Sequence, residues 1–260
     1  MIRDCLSRLR AQREQRIVQR RAISNLLWLE TLTSLPFLAR WSTADLEALR
    51  RLTSLFLDEK EFSGAGGLSV TDAMAVRIAA QACLPVLHLG LQPYRGFVGI
   101  VVHPDEVVAA REVMDDDGVV HNYDEVLSGE AMEGGPLMLS WTDVREAGVS
   151  ADWAYNVVIH EFAHVLDMAD GEADGVPPLA GSAERQRWVA VLEAEFEAFC
   201  SWVDDGADTV LDPYGANGID EFFAVAVEAF FVASEAMREE HPQLYELFAA
   251  YFQQDPAVAS

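Results

Sequence analysis

Residues 155–170 read YNVVIHEFAHVLDMAD, and at their centre stands His160-Glu161-Phe162-Ala163-His164. In a helix, positions i and i+4 lie on one face, one turn apart, so both imidazoles can reach a single metal ion. Glu161 directly follows the first of them, which sets its carboxylate beside the metal without binding it. A base in that position takes a proton from an activated water. The pattern predicts a zinc-dependent hydrolase, most simply a peptidase. Its surroundings agree. Val157, Val158, Ile159, Phe162, Ala163, Val165, Leu166 and Met168 make the segment apolar on nearly every side. No Pro or Gly interrupts it from Ala151 to Asp170, and Gly171 follows as a stop. The segment therefore reads as a buried helix. Two imidazoles and a carboxylate are costly to bury without a partner, and a metal is the simplest one. The blander alternative is two core histidines satisfied by hydrogen bonds, with Glu161 on a solvated edge.

The chain has 260 residues, of which 51% are hydrophobic, enough for one large core. No apolar run reaches the roughly 18 residues of a membrane span. The N-terminal stretch MIRDCLSRLRAQREQRIVQRR lacks an apolar segment and predicts no secretory signal. The three cysteines, Cys5, Cys83 and Cys200, are odd in number and widely spaced. They form neither a disulfide framework nor a metal knuckle, which predicts a reducing, cytoplasmic setting. Net charge is −25, and Lys60 is the only lysine. Such a field repels nucleic acid and argues against direct DNA or RNA binding. Residues 1–21 differ, with seven Arg against Asp4 and Glu14. Residues 1–22 are expected to form a basic, solvated arm, and residues 23–260 a single domain.

Along the chain, residues 24–34 read as a helix that ends before Pro36. Thr43 is the expected N-cap of the next, whose Leu46, Leu49, Leu52 and Leu55 form a stripe. Ser63–Gly67 (SGAGG) lacks the Lys-Ser/Thr of a phosphate loop and a clear preceding strand, so it reads as a connector. Thr71 caps a helix that runs to about Pro85. Phe97–His103 is rich in branched residues and predicts a strand. Val107–Val113 and Val119–Tyr123 flank Asp115-Asp116-Asp117-Gly118, a hairpin signal. Leu137–Trp141 predicts another short strand, a candidate edge for an extended peptide. From Ala151 onward helices dominate, near Ala183–Val203, Ile219–Ser234 and Pro242–Phe252. Helices, then a small sheet, then helices is an α+β layout.

A catalytic zinc takes three protein ligands plus water. No third His follows at the spacing that would mark a metzincin, so a carboxylate is left. Asp167, Asp170, Glu172, Glu193, Glu195, Glu197, Asp220, Glu221 and Glu228 are all possible. The stretch Ile219–Ser234 stands out because it is nearly as apolar as the motif helix, yet carries Glu221 and Glu228 two turns apart on one face. Glu221 serves equally well as an acid at a helix N-terminus.

The string VVIHEFAHVLD…ADGVPPL followed by DPYGANGIDEFFAVAVEAFF resembles the Mlc titration factor A family of bacterial zinc peptidases. Further similarity lies in LPFLARWSTADLEALRRLTSLFLDEKEFSGAGGLSVTDAM, AAQACLPVLHLGL, DGVVHNYDEVLSGEA and GPLMLSW. The resemblance implies a zincin-like (gluzincin) peptidase fold, similar to the peptidase domain of anthrax lethal factor. It implies one zinc ion held by His160, His164 and Glu221, with Glu161 as general base and Tyr214 assisting the transition state. It implies hydrolysis of peptides, with aminopeptidase-like activity, and binding of the repressor Mlc, which withdraws that protein from DNA and affects sugar uptake. A non-catalytic protein that sequesters a repressor is the competing reading, although such a protein has no need of Glu161. One departure is Val227-Glu228-Ala229, where the family usually has Ser-Glu-Tyr. It bears on hydrogen bonding around the ligands.

Overall fold

The computed structural model describes residues 2–114, 120–132, 134–147 and 154–258. Three helices come first: α1 (Ile2–Arg20), α2 (Asn25–Ser34) and α3 (Thr43–Glu59). Strand β1 (Glu61–Gly64), helix α4 (Asp72–Cys83) and strand β2 (Gly99–His103) follow. A ribbon of β3 (Val107–Met114) and β4 (Val120–Leu127) leads into β5 (Gly129–Ala131) and β6 (Leu137–Ser140). The rest is helical: α5 (Trp141–Glu146), α6 (Val157–Asp167), α7 (Ser182–Asp204), α8 (Ile219–Val232), α9 (Ser234–Glu240) and α10 (Pro242–Phe252). This is the α+β layout read from the sequence.

The main sheet has the order β1-β2-β6-β5. β1, β2 and β6 run parallel, and β5 pairs antiparallel with β6. Alternation places Ile100 and Val102 of β2, and Leu137 and Leu139 of β6, in the core. The same core holds Val158, Phe162 and Leu166 of α6. Phe162 sits among the rings of Tyr94, Phe56 and Phe97, at centroid distances of 4.9, 5.7 and 5.9 Å. Phe162→Ala is therefore expected to destabilise the chain by about 3–5 kcal/mol, the cost of a large cavity in a close-packed core. A lowered denaturant midpoint in urea unfolding checks this. Beside those rings the only lysine is buried. Lys60 donates to the carbonyls of Tyr94 and Phe97 and lies 3.8 Å from the Phe97 ring centre.

The C-terminal helices form a second aromatic layer. Every residue of α8 from Phe222 to Val232 is buried. Phe230 and Phe231 meet Phe252 at 5.6 and 5.1 Å, and Trp188 of α7 stacks on Phe248 of α10 at 5.6 Å. This layer holds α8 against α6, and the facing of those two helices builds the site.

Several expectations need correction. Ser42, not Thr43, caps α3, because its Oγ accepts the Asp45 N–H at 3.1 Å. The SGAGG connector is preceded by a strand after all: β1 runs into it as far as Gly64, and Ala65 still donates to Val102. The motif helix starts at Val157, since Asn156 is extended and caps it, and it ends at Asp167 with a 3-10 turn to Asp170. Leu137–Ser140 is interior to the sheet, flanked by β2 and β5, so it offers no free edge; that edge belongs to β5. The hairpin turn at residues 115–118 lies outside the described residues, although its two strands pair as the sequence suggests. In the basic segment, α1 is a helix tied to α3 by ion pairs from Arg20 to Asp58 and from Arg51 to Glu14, both 2.7 Å.

Candidate metal centre

Asn156 fixes where α6 begins. Its Oδ1 accepts the Ile159 N–H at 3.0 Å, and its amide donates to Gln81 of α4 at 2.9 Å. The cap sets the first turn so that His160 and His164 share the face turned towards α8. The two Nε2 atoms stand 3.2 Å apart. Glu221, in the first turn of α8, places Oε2 3.1 Å from His160 Nε2 and 3.4 Å from His164 Nε2. These three residues form a group able to hold a metal.

The triangle fits zinc. Donors about 2.0–2.1 Å from a tetrahedral ion lie about 3.3 Å from one another, and the three separations here are 3.1, 3.2 and 3.4 Å. Two imidazole nitrogens and one carboxylate oxygen also suit an ion of borderline softness.

A second layer holds the ligands. Glu228, two turns along α8, lies with Oε1 2.8 Å from His160 Nδ1, while its Oε2 accepts the backbone N–H of Asn156. Gln81, Asn156, Glu228 and His160 thus form one hydrogen-bonded chain running from α4 through α6 to α8. The carboxylate fixes the tautomer that leaves Nε2 facing the triangle. Asp167 does something else: its Oδ2 accepts the Gly175 N–H at 2.9 Å and pins the loop after α6.

Charge follows from burial and these bonds. Burial disfavours the Glu221 carboxylate, but hydrogen bonds from His160 and His164 outweigh it and hold the group well below the usual carboxylate range. Burial disfavours the His160 cation, yet Glu221 and Glu228 reverse this and push the imidazole well up. For Glu161 burial wins. The side chain is 5% exposed, and its carboxyl is pushed up to about 7, with the nearby histidines opposing. A carboxyl poised there can both take and return a proton near neutrality.

Tyr214 lies in a 3-10 turn, Pro213–Asn217, capped by Asp212 through the Tyr214 N–H at 2.9 Å. Its hydroxyl is 3.5 Å from Glu221 Oε1, and its ring is 47% exposed. His160, Glu161, Tyr214 and Glu228 all line one cavity of about 460 Å³, together with Ser128 and Gly129. The structure thus brings together all five residues singled out from sequence.

Sequence reasoning missed three others: Asn156, Gln81 and Gly129. An Asn just before an apolar run is an N-cap signal, so Asn156 was within reach. Gln81 and Gly129 act across the fold and carry no local signal. A Cβ on Gly129 would lie 2.4 Å from Glu161 Oε1 and 2.6 Å from its Cγ, so β5 passes the carboxylate with room only for hydrogen. Gly129→Ala is expected to displace Glu161 and lower peptide hydrolysis about tenfold to a hundredfold, the scale of a misplaced catalytic group. Steady-state kinetics with a parallel metal assay checks this, since metal content should stay unchanged.

Fold and site together are compatible with a metallopeptidase. The family model described as glucose-regulated metallo-peptidase M90 matches residues 9–253. An uncharacterized protein of Synechocystis sp. is 37% identical over 226 residues, covering 86% of this chain and 82% of that one. The Mlc titration factor A of Cronobacter sakazakii is 35% identical over 244 residues, 91% of this chain and 89% of that one. The Yersinia pestis protein of the same name is 35% identical over 237 residues, 88% and 84% of the two chains. The chain belongs to this family, the Mlc titration factor A metallopeptidases.

Proposed function

We propose that this chain is a zinc-dependent peptidase of gluzincin type, with His160, His164 and Glu221 as ligands. The observation that carries the reading is the near-equilateral triangle of Nε2, Nε2 and Oε2, with separations of 3.1, 3.2 and 3.4 Å. When bound, the ion supplies an acidified water and a Lewis acid for the carbonyl. Glu161, buried and poised near neutrality, accepts the water's proton and passes it to the leaving amine. The Tyr214 hydroxyl, held over the site by its capped turn, donates to the oxyanion as it develops. Glu228 keeps His160 in the ligating tautomer through the 2.8 Å hydrogen bond to Nδ1. Substrate lies along β5, the edge strand of the sheet beside Glu161, and adds a strand to it. The free cysteines, Cys83 and Cys200, fit a cytoplasmic setting.

The test is hydrolysis of short chromogenic peptides by zinc-loaded and chelator-treated protein. Activity that is lost with chelator and returns with zinc is expected; a loaded protein that leaves every peptide intact contradicts the proposal. A role in withdrawing the repressor Mlc is suggested by the relatives' name. Among the described residues no helix is long and apolar enough to cross a membrane, so membrane anchoring through such a helix plays no part in the proposal. A pull-down of purified Mlc by this chain checks the repressor role, and it separates from catalysis if a Glu161→Gln variant still captures the repressor.

A further inference from the structure

The cleft opens at both ends of β5. Ser140 donates to Ser128 across the β5–β6 pair at 2.7 Å, and the register continues Gly129↔Leu139, Glu130↔Met138, Ala131↔Leu137. Backbone groups of opposed antiparallel residues alternate between facing the partner and facing away. Ser128 and Glu130 therefore point their backbone groups at β6, and Gly129 and Ala131 present theirs on the free edge. One end of that edge leads into the cavity of about 460 Å³ beside Glu161, with apolar walls from Val157, Val225 and Leu127. The other end, at Ala131 and Met132, leads into a larger cleft of about 880 Å³ bounded by Phe97, Val165 and Met168. Glu161 touches β5 at Gly129, between the two cavities.

An added strand pairs antiparallel with β5, the slightly more stable mode. Its amino-terminal half then lies over the larger cleft. An aminopeptidase, the narrower activity that the resemblance implies, must stop the substrate one residue before the cut and hold its α-ammonium on a carboxylate, since a desolvated cation needs a partner. The larger cleft does neither. It continues past the site for several residues' volume. Its lining acid, Asp170, faces Arg185 at 3.6 Å, and Arg95 lines the same cleft as a cation.

We infer that the cleft holds an extended peptide on both sides of the bond to be cut, making the chain an endopeptidase that prefers an apolar side chain in the Val157–Val225 pocket. Hydrolysis breaks an internal C–N bond; water gives its hydroxyl to the carbonyl carbon and its proton, through Glu161, to the new amine. The inference rests on the peptidase reading above.

The test uses the zinc-loaded full chain on decapeptides acetylated at one end and amidated at the other, on the same peptides with a free amino terminus, and on an aminoacyl nitroanilide. Products are read by mass spectrometry. Internal cutting of the blocked peptides is expected, with kcat/KM about tenfold or more above the nitroanilide, because binding along the cleft is spent at the reacting bond. Release of single amino-terminal residues with the blocked peptides left intact would overturn the inference and leave the peptidase reading standing. If no substrate of any kind is cut, the peptidase reading fails, and the inference fails with it.

Discussion

Glu161→Gln is expected to lower kcat for peptide hydrolysis by about 10²–10⁴-fold, the usual contribution of a positioned acid–base group. The amide is nearly the same size, so it fits against Gly129 where the carboxylate now lies. It cannot accept the water's proton or return one to the amine. Glu161 is outside the His160–His164–Glu221 triangle, so the metal content of the variant should match the parent. Measuring zinc and rate on one sample separates the two roles. A variant that keeps its zinc and also its rate would refute the base assignment. One that loses both would make Glu161 a structural residue of the centre.

Glu221→Ala is expected to have the other large effect, on metal binding itself. The substitution removes the one oxygen donor of the triangle and leaves two imidazoles 3.2 Å apart. Even residues that only orient a ligand cost 10–100-fold in affinity when replaced, and losing a ligand should cost more. Thermal unfolding offers a second reading. Zinc at about a thousand times its dissociation constant stabilises the native state by about 4 kcal/mol. The parent should gain that stability, and Glu221→Ala should show almost no zinc-dependent rise in Tm. An undiminished rise would mean that the ion sits elsewhere. Glu228→Ala is a useful contrast, because Glu228 bonds His160 Nδ1 and belongs to the supporting layer.

The sequence made the site legible where chemistry is local. His160, Glu161 and His164 share one helical turn, and their spacing alone states the geometry. Glu221 was one of nine acids until the apolar character of its helix and the family resemblance singled it out. Only the packing of α8 on α6 brings its carboxylate within 3.4 Å of both imidazoles. Glu228 was visible as a second acid on the same stripe, but its grip on both His160 and the Asn156 backbone depends on tertiary distance. Gly129 could not be read at all: a glycine in a short strand looks like a bulge or a turn until the neighbouring helix is placed against it. The error over the edge strand has the same origin. Period-two alternation says that Leu137–Ser140 is a strand with one buried face, and it carries no information about which strand lies at the rim. The late start of α6 is different. The residues before Val157 are good helix formers, and tertiary bonds to Asn156 override that preference.

The most direct test of the account is anomalous diffraction at the zinc edge from crystals of the purified chain. A single peak within bonding distance of His160 Nε2, His164 Nε2 and one Glu221 oxygen is the predicted result. A chain that binds zinc with no peak at that triangle, or an ion found there without Glu221 among its ligands, would contradict it.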